Sequence, residues 1–94
     1  MRLAARTDAN QADIVKALLD IGASVQILAA VGQGFPDLLV GLAGRNFLLE
    51  VKDGSKPPSK RKLTPAEAEW HAEWRGQVCV VESVEAALEI IGAQ

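Results

Sequence analysis

Asp37, Glu50 and Lys52 are the residues of this chain whose types and spacing can do chemistry together. Side chains alternate across a strand, so in Leu48-Leu49-Glu50-Val51-Lys52 the carboxylate of Glu50 and the amine of Lys52 leave one face while Val51 leaves the other. The preceding apolar run, Asp37-Leu38-Leu39-Val40-Gly41, is joined to it by Leu42-Ala43-Gly44-Arg45, short enough for a hairpin. A turn centred on the Ala43–Gly44 bond, with either two or four loop residues, sets Asp37 opposite Glu50. Two carboxylates opposed across a ladder, with Cβ atoms about 5 Å apart, repel unless a cation sits between them or one of them takes a proton.

A divalent cation resolves that conflict. Two carboxylates with room for water and phosphate oxygens suit Mg²⁺, with Mn²⁺ as a substitute, better than Zn²⁺, which recruits His or Cys. The sole histidine, His71, is remote in sequence, and the sole cysteine, Cys79, lies in the apolar run Val78-Cys79-Val80-Val81, where a buried free thiol is expected. The expected ligands are Asp37, Glu50 and the backbone carbonyl of Val51. Such a metal polarises a phosphodiester and acidifies a water, and Lys52 orients that water or stabilises the transition state. Glu-Val-Lys alone is common in strands as a half-exposed ion pair. Here it ends a buried strand, a Pro-Asp opens the strand before it in the matching register, and a basic loop follows.

The elements that must position these residues can be read in order. Asp8 followed by Gln11 has the form of a capping box, Ile14, Val15, Leu18, Leu19 and Ile21 form a helical stripe, and Gly22 ends that helix. Ser24 to Leu28 is a first strand, and the turn-rich Gly32-Gln33-Gly34-Phe35-Pro36 leads into the hairpin of residues 37–41 and 46–52. Near-continuous apolar runs in both hairpin strands predict a central position with both faces covered. Residues 53–62 form a Pro/Ser/Lys loop in which Pro57-Pro58 blocks regular structure. Thr64-Pro65-Ala66-Glu67 starts a second helix with a hydroxyl cap, proline at its first position and a capping-box glutamate, and Gly76 is its expected end. A strand over 77–81 and a helix over 84–91, capped by Ser83 and closed by Gly92, complete the order α-β-β-β-α-β-α. The expected fold class is α/β, with a central mixed sheet flanked by helices, in one domain spanning residues 1–94.

Composition bounds the partners. No apolar run approaches the roughly 18 to 20 residues that span a bilayer, and MRLAARTDANQ lacks a signal-peptide core, so a cytoplasmic protein without membrane contact is expected. The formal net charge is −2, yet Lys56, Lys60, Arg61 and Lys62 stand together without an acid, whereas six glutamates from Glu67 to Glu89 crowd the last third. With Ser59, this basic arm is the expected sequence-independent contact to DNA phosphates. Trp70 and Trp74, one helical turn apart, can stack on bases or pack in a core or interface, the latter being favoured because the helix must bury some face. His71 beside them reads as a surface or interface residue.

Through Gly34-Phe35-Pro36-Asp37, Leu48-Leu49-Glu50-Val51-Lys52 and Leu63-Thr64-Pro65, the chain resembles the PD-(D/E)XK nucleases, most closely their virus-type replication-repair (VRR-NUC) branch. The resemblance covers most of the chain. It implies a restriction-endonuclease-like core and a metal-dependent, structure-selective DNA endonuclease like the dimeric Holliday junction resolvases, working on branched DNA in a bacterial or phage-infected cell. Many relatives carry glutamine at the start of the second helix, where this chain has Glu67. Many also place a carboxylate on the first helix, for which Asp8, Gln11 and Asp13 are candidates, Gln11 ranking first as an assisting catalytic residue. Small size and a two-fold symmetric substrate point to a homodimer. The competing readings are a non-cleaving nucleic-acid-binding or docking module on the same fold, which would bind DNA without metal, and a purely structural subunit, which would be indifferent to loss of Lys52.

Overall fold

A computed structural model describes residues 8–92 of the chain. The element order is α1 (Gln11–Asp20), β1 (Ser24–Ile27), β2 (Leu38–Leu42), β3 (Arg45–Val51), a 3₁₀ turn (Pro58–Lys60), α2 (Pro65–Glu73), β4 (Cys79–Val81) and α3 (Val84–Ile90). The strands form one mixed sheet in the order β1-β2-β3-β4, with the first three antiparallel and β4 parallel to β3. This is the α/β order expected from the sequence. Among the described residues no helix is long and apolar enough to cross a membrane.

The β2–β3 hairpin has the expected register. Leu38 pairs with Leu49, Val40 with Phe47 and Leu42 with Arg45, and a two-residue turn of Ala43 and Gly44, both at positive φ, closes it. That conformation is the one whose twist matches the flanking strands. Leu38, Val40, Phe47, Leu49, Val51 and Val81 share one face of the sheet and are buried with Ile14 and Leu18 of α1 and with Ala87 and Ile91 at α3. Each fully buried Leu or Ile contributes about 1.5–3 kcal/mol.

Coverage of both faces is not found. Leu39 on β2 and Val80 on β4, which point away from α1 and α3, are 37% and 40% exposed. A continuous apolar run in an antiparallel pair is compatible with a half-open face, and α2 lies over only part of it. In α1 the buried stripe narrows to Ile14 and Leu18, with Leu19 and Ile21 exposed. Cys79 is half-buried against the core rather than buried within it.

Helix ends follow local chemistry with two corrections. The cap of α1 is Asn10, not Asp8, and no side-chain capping bond forms. Instead the Asn10 amide donates to the carbonyls of Lys52 (3.0 Å) and Glu82 (3.2 Å), tying α1 to the ends of β3 and β4. The second helix has the expected capping box between Thr64 and Glu67, and Ser83 caps α3 by accepting from the Ala86 N–H. But α2 ends at Glu73, three residues before Gly76, because Trp74 turns to an extended conformation. Gly76 instead leaves room for the Trp74 indole, which donates to the Gln77 carbonyl (3.1 Å).

Candidate active site

The free end of the hairpin is where the chemical groups meet. The Asp37 N–H donates to the Leu49 carbonyl (3.1 Å), which extends the ladder by one rung and brings Asp37 level with Glu50. One oxygen of the Asp37 carboxylate accepts from the Val51 N–H at 2.7 Å, so the side chain is aimed across the strand pair. Glu50 is 1% exposed. Lys52 leaves the same face as Glu50, is also buried, and donates to Glu67 Oε1 at 2.7 Å.

These residues line a cleft of about 500 Å³ together with Asp8, Lys56, Lys60, Lys62 and Thr64. Three lysines of the basic loop therefore reach the cleft that holds the acids. The other two residues expected on DNA do not line it: Ser59 sits in the exposed 3₁₀ turn, and Arg61 pairs with Glu82 at 3.0 Å. Of the first-helix candidates, Asp8 lines the cleft, whereas Gln11 is buried in the first turn of α1 with its side-chain oxygen unpartnered and is not part of the cleft wall.

The electrostatics carry the conflict that the sequence implies. Burial, together with the neighbouring carboxylates Asp37 and Glu67, pushes Glu50 up to about 10, so without a cation it holds its proton at neutral pH. Burial works to lower the Lys52 pKa, but the bond to Glu67 and the charges of Glu67 and Glu50 lift it above its ordinary value, and the lysine is an ammonium. Burial opposes ionisation of Glu67, which Lys52 and the Thr64 N–H reverse, holding Glu67 below its usual range. Asp8 is raised by burial against the lowering influence of Lys52 and Lys56.

Among the described residues no group of three or more His, Cys, Asp or Glu forms a ready-made metal cage. The donor set nonetheless fits Mg²⁺, which is commonly held by one or two carboxylates with waters and substrate phosphates filling the rest. Glu50 Oε1 is buried without a hydrogen-bond partner, an orphaned acceptor beside a second carboxylate. Asp37, Glu50 and the backbone of Val51 are the groups that would hold it.

Two members of the site were not assigned to it from the sequence. Glu67 reaches it from the first turn of α2, where its Oε1 accepts from both the Thr64 N–H (2.8 Å) and Lys52. His71, expected at the surface or an interface, has a side chain only 14% exposed, with Nε2 at 3.5 Å from Glu50 Oε1. The signal was present in the spacing: Glu67 and His71 are four apart, hence on one helix face. The same side of the helix carries Trp70 and Trp74, stacked at 4.6 Å between ring centroids, with Phe35 edge-on to Trp70 at 5.0 Å and Trp70 edge-on to His71 at 5.9 Å. Trp70 and Trp74 pack on each other and Trp70 on Phe35, with Trp74 left 43% exposed. Gly34 completes the joint, because a Cβ there would collide with the Ala66 carbonyl in the first turn of α2, and its φ of +80° excludes most side chains.

No protein-family model matches the sequence, and no curated protein does. A solved structure described as a VRR_NUC domain is similar to this chain, with a TM-score of 0.62 and 28% identity over 87% of this chain and 94% of that one.

Proposed function

We propose that this chain, a member of the VRR-NUC family by its fold and motifs, is a Mg²⁺-dependent endonuclease that hydrolyses DNA phosphodiester bonds. The observation that carries the reading is the convergence of Asp37, buried Glu50 and Lys52 on one cleft walled by three lysines. A binding module gains nothing from opposed acids that repel phosphate.

Asp37 and Glu50, with the Val51 carbonyl, would hold the cation against the scissile phosphate. When bound, a divalent cation supplies Lewis-acid polarisation of that phosphate and acidifies a water. Lys52, held as an ammonium and braced by Glu67, presents positive charge to the attacking water and to the charge that develops on phosphorus-bound oxygens. Lys56, Lys60 and Lys62 grip flanking phosphates without reading sequence. Ser59 and Arg61 extend that contact along the outside of the loop, Arg61 by exchanging Glu82 for phosphate. Of the first-helix candidates Asp8, which lines the cleft, is better placed to assist than the buried Gln11. On the family resemblance the substrate is branched DNA, cut as by a Holliday junction resolvase, and the working unit is a homodimer.

The test is cleavage of labelled four-way junction, flap, single-stranded and linear duplex DNA by the wild-type chain with Mg²⁺, Mn²⁺ or EDTA. Cutting of the branched substrates that stops in EDTA is expected. DNA binding with no cutting under any metal would replace the enzyme by a docking module.

A further inference from the structure

The Glu50–His71 contact is unlike every other polar contact around the cleft. Both atoms are buried and neither has a hydrogen-bond partner. They face each other from different elements, β3 and α2, at 3.5 Å, well beyond the roughly 2.7–2.9 Å of a charge-assisted hydrogen bond. Two such atoms facing each other without a proton or a cation between them are costly. The separation has a second meaning in coordination geometry. Two donors each about 2.0–2.2 Å from one cation, at octahedral or tetrahedral angles, lie roughly 3–3.6 Å apart. The gap between Glu50 Oε1 and His71 Nε2 has the width of such an edge.

The placement is built into the fold. Glu50 is fixed by the β3 ladder, and His71 is brought over it by the joint at Gly34, the Phe35–Trp70 contact and the Lys52–Glu67 pair. An imidazole nitrogen is a poor donor for Mg²⁺ and a good one for later divalent ions, while the carboxylates serve either.

We propose that His71 is a nitrogen ligand of the cation held by Glu50, and that it biases the site toward Mn²⁺ over Mg²⁺. This rests on the metal-dependent reading of the same cleft and adds a ligand that the reading does not contain. His71 is the chain's only histidine, so any imidazole nitrogen on a bound ion is His71.

The experiment uses the full chain without a histidine tag and without DNA. Mn²⁺ is bound, and electron spin-echo modulation is recorded for the wild type, His71→Gln and Glu50→Gln, with Mn²⁺ and Mg²⁺ affinities by calorimetry and folding by circular dichroism. We expect directly coordinated ¹⁴N in the wild type only, a loss of Mn²⁺ affinity in folded His71→Gln of at least about tenfold, and Mg²⁺ affinity within about twofold of wild type. Mn²⁺ bound through Glu50 with no nitrogen signal would overturn the proposal while leaving the nuclease reading intact. Absence of any metal binding, together with absence of cutting, would overturn both. If His71→Gln fails to fold, the wild-type spectrum alone decides, because the nitrogen signal is present or it is not.

Discussion

The two halves of the cleft are held in place by different physics. The β2–β3 hairpin carries Asp37, Glu50 and Lys52 on strands whose opposite face is buried against α1 and α3, with Leu38, Val40, Leu49 and Val51 fully inaccessible. Helix α2 carries Glu67 and His71 and has no buried residue at all. It is fastened by the Lys52–Glu67 pair, the aromatic contacts of Phe35, Trp70 and Trp74, and the close approach at Gly34. The difference teaches that the acids and the lysine sit on a frame that global stability protects, whereas their helical partners depend on contacts that local opening can break.

Substitutions on the two sides should therefore fail differently. Leu49→Ala, in the centre of the frame, is expected to cost about 2–5 kcal/mol and to lower the melting temperature at least about 8 °C, unfolding hairpin and helix together. Gly34→Ala is expected to cost about 1–3 kcal/mol through a strained backbone and collision with Ala66. Its signature is faster amide exchange in α2 while the amides of β2 and β3 stay protected. Equal loss of protection in both would remove the distinction.

The hairpin was legible because strand alternation and a two-residue turn leave one register, and that register alone predicts the meeting of Asp37 and Glu50. The capping box of Thr64 and Glu67 was legible for the same local reason. What stayed hidden depends on long-range docking. Asn10 takes the cap position but turns its amide to Lys52 and Glu82, forty or more residues away. His71 meets Glu50 only because α2 lies across the sheet; the four-residue spacing puts Glu67 and His71 on one helix face but does not say which strand that face meets.

Glu50 sharpens the comparison from the side of the frame. A carboxyl whose pKa rises on folding from 4.5 to about 10 carries no penalty below 4.5 and destabilises the metal-free chain increasingly as pH climbs through that window. Glu50→Gln removes this dependence. At pH 8 without metal the variant is expected to be the more stable and to melt at the higher temperature, and the two should converge near pH 4. A metal-free wild type that gains stability from pH 5 to 9 relative to Glu50→Gln would contradict the assignment. The smallest effect is expected at the rim. Lys60→Gln and Lys62→Gln should each weaken DNA binding a few-fold and reduce the salt dependence by about one counterion, with melting temperature unchanged. A melting shift without a change in the salt slope would make them structural instead.

The most direct measurement is single-turnover cleavage, at saturating Mg²⁺ and enzyme, by wild type, Asp37→Ala and Lys52→Ala, with DNA binding followed by anisotropy and folding by circular dichroism. We expect both variants to fold and bind DNA within about threefold of wild type, and to cut at least about 100-fold more slowly. Cutting at the wild-type rate by either folded variant would contradict the assignment of phosphodiester hydrolysis to this cleft.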